Sequence, residues 1–66
     1  MQLHLNGQAT DLPPGLTAGQ LLERLALAGS RVAVEINGEI VPRSVHATHE
    51  LKDGDKVEIV HAIGGG

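Results

Sequence analysis

Two Asn-Gly dipeptides, Asn6-Gly7 and Asn37-Gly38, each stand between short segments in which apolar and polar residues alternate. Asn-Gly readily takes up the positive backbone angles of a two-residue hairpin, whose twist matches that of the strands it joins. In the first segment Met1, Leu3 and Leu5 alternate with Gln2, His4 and Asn6, so a strand is expected there, returning after the turn through Gln8 to Leu12. In the second, Val32, Val34 and Ile36 share one face, and the chain returns through Glu39 to Val41, where Pro42 stops further pairing and marks an edge strand.

Between the hairpins lies a helix signal. Thr17 is placed as N-cap, Gln20 follows three residues later as its capping-box partner, and Leu16 can staple onto Leu21. Leu21, Leu22, Leu25 and Ala28 form an apolar stripe, Gln20, Glu23 and Arg24 face water, and Gly29 suits the C-terminal cap. Arg43 to Lys52 reads as irregular with one helical turn. Asp53-Gly54-Asp55 then turns the chain into a last strand, Lys56 to Ile63. The order strand, strand, helix, strand, strand, strand gives an α+β fold with one helix packed on a mixed four- to five-stranded sheet.

The core of this sheet must be aliphatic, because the 66 residues include no Phe, Trp, Tyr or Cys. Neither a disulfide, a thiolate zinc site nor a cysteine nucleophile is available. Five Lys and Arg against eight Asp and Glu give a net charge of -3, and no aromatic ring can stack a base, so nucleic acid is not an expected partner. No apolar run approaches a membrane span or a signal-peptide core, which makes the cytoplasm the expected location and a membrane an unexpected partner.

Self-contained catalytic chemistry is hard to place on these residues. His46 and His49 lie three apart without a third ligand of suitable spacing and are expected to be solvated loop histidines rather than metal ligands. His4 falls on the polar parity of the first strand and His61 near the end of the last, both as surface or rim residues. Asp53-Gly54-Asp55 lacks the further acids of a calcium loop and reads as a turn. Ser30 and Ser44 have no histidine and carboxylate in a recognisable arrangement.

The ending, HAIGGG, carries the remaining information. Three glycines offer no side chain to bind with and are the residues most costly to order, so their use is steric. A backbone without Cβ atoms can enter a channel closed to other residues, and Ile63 to Gly66, fully extended, reach about 13 to 14 Å. The expected division is a domain over residues 1–63 and a flexible tail over 64–66. Gly64 and Gly65 would thread, and the terminal carboxylate of Gly66 would react. Along the last strand Val57, Ile59 and Ile63 take the inward parity, leaving Val60 and Ala62 outward with Lys56 and Glu58. This sheet face, with Val60, Ala62 and Glu58, is the expected place for a partner to dock.

The run INGEIVPR (Ile36 to Arg43), followed by LKDGDKVEIVHAIGGG (Leu51 to Gly66), resembles the sulfur carrier proteins of thiamine biosynthesis, the ThiS family, over essentially the whole chain. The resemblance implies a ubiquitin-like β-grasp fold with the first and last strands parallel and adjacent at the centre of the sheet. It also implies a carrier rather than an enzyme, with no bound cofactor. A partner resembling ubiquitin-activating enzymes (E1-like) would use ATP to adenylate Gly66, a persulfide donor would supply sulfur to form a thiocarboxylate, and thiazole synthase would consume it. Gly64 departs from the motif, which needs only Gly65 and Gly66. Three alternatives stay open on the sequence: the small subunit of molybdopterin synthase, whose members are usually longer with aromatics before the tail; a ubiquitin-like protein modifier; and an interaction domain with an idle tail.

Overall fold

The structure, a computed structural model, describes residues 1–61. Five strands and one helix follow the expected order: β1 (Gln2–Leu5), β2 (Gln8–Asp11), α1 (Ala18–Arg24), β3 (Val32–Ile36), β4 (Glu39–Val41) and β5 (Lys56–His61), with a 3₁₀ turn at Arg43–Val45. They form one mixed sheet in the order β2-β1-β5-β3-β4. β1 and β5 run parallel at its centre, with His4 opposite Lys56 and Leu5 opposite Val57, while the remaining pairs are antiparallel. This is the β-grasp arrangement, and β4, closed by Pro42, is an edge strand as expected.

Both Asn-Gly turns behave as their sequence dictates. Asn6 and Gly7 sit at φ 49° and 85°, Asn37 and Gly38 at 54° and 85°. These are the paired positive angles of a type I′ hairpin.

Helix α1 begins where expected. The Thr17 hydroxyl accepts from the Gln20 amide at 3.2 Å and the Gln20 side chain accepts from the Thr17 amide at 2.9 Å, completing the capping box. The other free amides of the first turn are taken by the loop before β5: Ala18 donates to the His49 carbonyl and Gly19 to that of His46, both at 2.8 Å. Gly19 permits this approach, since a Cβ there would stand 3.3 Å from the His46 oxygen. A helix start so fully partnered has no amide left to bind an anion.

The helix ends earlier than the stripe in its sequence implies. Leu25 is the C-cap and Ala26, at φ 59°, turns the chain. Ala26 donates to Glu23 at 3.0 Å and Leu27 to Leu22 at 2.8 Å, the bond pair of a Schellman motif. Gly29 is therefore not the cap, and Leu25 and Ala28 are exposed rather than part of the buried stripe. Stopping at Leu25 lets Leu27 fold back against the core beside Leu22. Three more helical residues would forgo that contact.

The core unites Leu21 and Leu22 of the helix with Leu3, Val34, Ile36, Val41, Val57 and Ile59 of the sheet and Leu51 of the loop, all less than one-tenth exposed. Leu16 packs on its edge, as the staple requires. His46 also turns inward. It is buried, and its Nε2 donates to the Val41 carbonyl at 2.9 Å, tying the loop to edge strand β4. The expectation that it is a solvated loop histidine is wrong, because the 3₁₀ turn swings the ring under the loop, where its Nε2 reaches the carbonyl of Val41, the residue opposite Val34 in the β3–β4 ladder. His49 is half-buried.

Candidate functional site

Everything expected to carry chemistry lies on, or follows, β5. The strand holds the middle of the sheet, and its register on β3 runs from Val57 opposite Ile36 to His61 opposite Val32. Val57 and Ile59 point into the core, at 1% and 7% exposure, whereas Lys56, Glu58 and Val60 are exposed on the face away from α1. The parity assigned to these five residues holds. Ala62, Ile63 and the glycines Gly64, Gly65 and Gly66 lie outside the described residues, as does the boundary drawn between domain and tail.

What fixes β5 is a pair of side chains that sequence reasoning credited only with turning. The Asn6 amide lies alongside the strand: its Oδ1 accepts from the Ile59 amide at 2.8 Å and its Nδ2 donates to the Ile59 carbonyl at 3.4 Å. Backbone pairing between β1 and β5 reaches Val57, whose carbonyl accepts from the Asn6 amide at 2.9 Å. The side chain then extends the ladder by one further rung. Asn37 does the same from the other hairpin, accepting from the Lys56 amide at 2.9 Å and donating to the Asp55 carboxylate at 2.9 Å. Asparagine suits these positions twice over, since it tolerates the positive φ and carries an amide that imitates a peptide group.

The start of β5 is anchored by the DGD turn. Asp55, buried, also accepts from the Lys52 amide at 2.8 Å, and its carbonyl takes the His4 amide at 2.9 Å. Asp53 accepts from the Gln2 amide at 2.7 Å, and Gly54 donates back to the Gln2 carbonyl at 2.7 Å. Both aspartates thus have structural partners, in agreement with a turn. Among the described residues no three His, Asp or Glu side chains gather as a metal site would need. None of the helices of the described residues is long and apolar enough to cross a membrane.

The open face of the sheet carries little covering. Its exposed apolar residues are Val60 on β5 and Ile40 on β4, at 59% and 63% exposure, the two most exposed large hydrophobic residues described. Ala33 lies opposite Val60, and Glu35 stands between Glu58 and Ile40. His4 and Lys56 are cross-strand neighbours at the other end of the face, and His4 is exposed as its parity implied.

Comparison with known proteins gives the same answer at three levels. The thiazole synthase of Paramagnetospirillum magneticum is 46% identical across all 66 residues, although the chain spans only about 20% of that protein's length. The thiazole synthase of Magnetococcus marinus is 41% identical, again with 20% of its length covered. The sulfur carrier protein ThiS of Escherichia coli is 39% identical, with both chains covered completely. In three dimensions, the crystal structure of the thiamine biosynthesis protein ThiS from Geobacter metallireducens superimposes with a TM-score of 0.87 over the whole of both chains, at 36% identity. The ThiS family profile matches residues 3–66, taking in the β-grasp domain together with the final glycines, and the chain belongs to the ThiS family.

Proposed function

We propose that this protein is a sulfur carrier of thiamine biosynthesis, a co-substrate rather than a catalyst, acting in the cytoplasm through the carboxylate of Gly66. The observation that carries this reading is the end-to-end match with the Escherichia coli sulfur carrier ThiS, which leaves no part of either chain over. The thiazole synthases that contain a homologous segment support thiazole synthase as the enzyme that receives the sulfur.

The chemistry follows from the carboxylate. Its oxygen is a poor leaving group, so an E1-like enzyme first joins it to the α-phosphorus of ATP, with pyrophosphate departing. The terminal sulfur of a persulfide then attacks the acyl carbon and AMP leaves. A second thiol, from the donor protein or a small-molecule thiol reductant, then attacks the donor-side sulfur of the remaining S–S bond, forming a disulfide with it and releasing a thiocarboxylate, whose sulfur is an effective nucleophile. The chain supplies the acid and a backbone slender enough, through Gly64 and Gly65, to reach the partner's reacting groups. ATP belongs to the partner, and the carrier itself holds no cofactor. Val60, Glu58 and Ala62 belong to the surface on which that partner rests.

Intact mass spectrometry tests this reading. After incubation with the E1-like enzyme, ATP, a cysteine-derived persulfide donor and a thiol reductant, the chain should gain the mass of one sulfur minus one oxygen. Fragmentation should place the change at Gly66, and omission of ATP should abolish it. The gain should disappear on addition of active thiazole synthase with its substrates. Discharge by molybdopterin synthase components instead, or isopeptide adducts to lysines, would replace this function with one of the two related ones. An unmodified mass under conditions that charge another ThiS protein would refute it.

A further inference from the structure

Glu35 and Glu58 face each other across the two central antiparallel strands, β3 and β5, on the open side of the sheet. Cβ atoms in such a pair stand about 5 Å apart, and like charges placed so are destabilising. Neither carboxylate has a hydrogen-bond or ion-pair partner among the described residues, whose one ion pair joins the Met1 amino group to Asp11 at 3.7 Å. Lys56 shares the face two residues away from Glu58 and forms no ion pair with it. Apolar side chains that water also reaches adjoin the pair, Val60 and Ala33 further along the two strands and Ile40 across on β4, while Lys56 stands at its other end.

The neighbourhood of this face is fixed by covalent reach. Gly66 is the sixth residue after Val60, so in no conformation do they lie more than about 20 Å apart. Any protein that holds the Gly66 carboxylate in an active site therefore has surface within that distance of Val60. An apolar patch beside a pair of acids that form no ion pair among the described residues, on a chain of net charge -3, is complementary to an apolar surface bearing a cation. Arginine fits best, because its planar guanidinium can bridge two carboxylates while its methylene stem lies against Val60 and Ile40.

We infer that the open face docks a protein surface that inserts an arginine side chain between Glu35 and Glu58 and sets apolar side chains against Val60, Ala33 and Ile40. The inference rests on the proposed function in one respect: the partner is the E1-like adenylating enzyme. The like-charged pair is a specificity device, held at some cost to the free domain and relieved on association.

The double variant Glu35→Gln/Glu58→Gln distinguishes this role from a structural one, because the two make opposite demands on it. Its midpoint of thermal unfolding should equal or exceed that of the wild type. Its affinity for the purified E1-like enzyme, measured by titration calorimetry at low salt, should fall about tenfold or more, and the difference should shrink at high salt. Glu23→Gln, on the opposite side of the domain, should change neither quantity. Unaltered affinity and salt dependence in the double variant, with the wild type bound and charged normally, would overturn this inference alone. A wild type that neither binds nor is charged would overturn the proposed function with it. Should sedimentation show a dimer of this chain that Val60→Asp dissolves, the face belongs to a second copy and the inference is wrong.

Discussion

Replacing Asn6 by Gly separates the two tasks of that residue. Glycine keeps the positive φ of 49° without strain, so the hairpin turn is retained while the amide is lost. Two hydrogen bonds disappear, a good one of 2.8 Å from the Ile59 amide and a long one of 3.4 Å to the Ile59 carbonyl. A net hydrogen bond contributes about 1 kcal/mol, and a buried donor left unpaired costs about 1 to 3 kcal/mol. The first loss dominates, because the Ile59 amide is partly buried and its partner is removed. Additional freedom in the unfolded chain contributes about 0.5 kcal/mol more. The expected destabilisation is about 2 kcal/mol, or a fall of about 8 to 16 °C in Tm for a domain of this size. Circular dichroism is the appropriate monitor, as the chain has no Trp or Tyr. Hydrogen exchange provides the local reading: the Ile59 amide should lose protection by more than the global destabilisation accounts for. Protection of Ile59 that falls only in step with the rest of β5 would refute the claim that the side chain extends the ladder.

Ala26→Gly should act in the opposite direction, raising stability by about 0.5 to 1 kcal/mol, because glycine removes the Cβ strain at φ 59° while retaining both Schellman bonds; denaturant unfolding measures it. Val60→Asp should leave Tm within a few degrees, since Val60 is 59% exposed, yet weaken binding to the adenylating enzyme in calorimetry. Gly65→Ala should unfold like the wild type and be charged poorly, seen by comparing thermal unfolding with ATP-dependent mass gain; normal charging would remove the argument from a narrow channel.

Much of this fold is legible because its signals are local. A capping box needs only Thr17 and Gln20 at the right spacing, and a type I′ turn needs only Asn followed by Gly, so the helix start and both hairpins could be placed from neighbours in sequence. Face parity along β5 is equally local and put Val57 and Ile59 inside and Val60 outside. The helix end was not legible, because Ala26 accepts an unfavourable backbone angle to bring Leu27 to the core, a gain available only once the sheet is present. His46 is similar. Its spacing from His49 says nothing of the Val41 carbonyl that the 3₁₀ turn brings within its reach. The acidic pair emerges only when β3 and β5 are set in register, since Glu35 and Glu58 are 23 residues apart in the chain.

The asparagines also explain how so small a sheet presents its last strand. β5 enters as the central strand, but β1 offers it backbone partners only at Lys56 and Val57 before the first hairpin turns away. Without a further contact, that side of the strand from Glu58 onward would be unpaired while β3 alone held the other. The Asn6 amide closes this gap at Ile59, and Asn37 secures the entry at Lys56, so β5 is gripped at both ends of its core-facing pair, Val57 and Ile59. Its outward residues, Glu58 and Val60, are thereby held in one register relative to Glu35, Ala33 and Ile40. A carrier whose reactive group lies beyond its last strand has few means of presenting that group except through the direction in which the strand leaves the domain. Fastening β5 by side chains from the two hairpin turns fixes the register of its open face, so if the proposed function holds, loss of either amide should disturb recognition by the adenylating enzyme as well as stability.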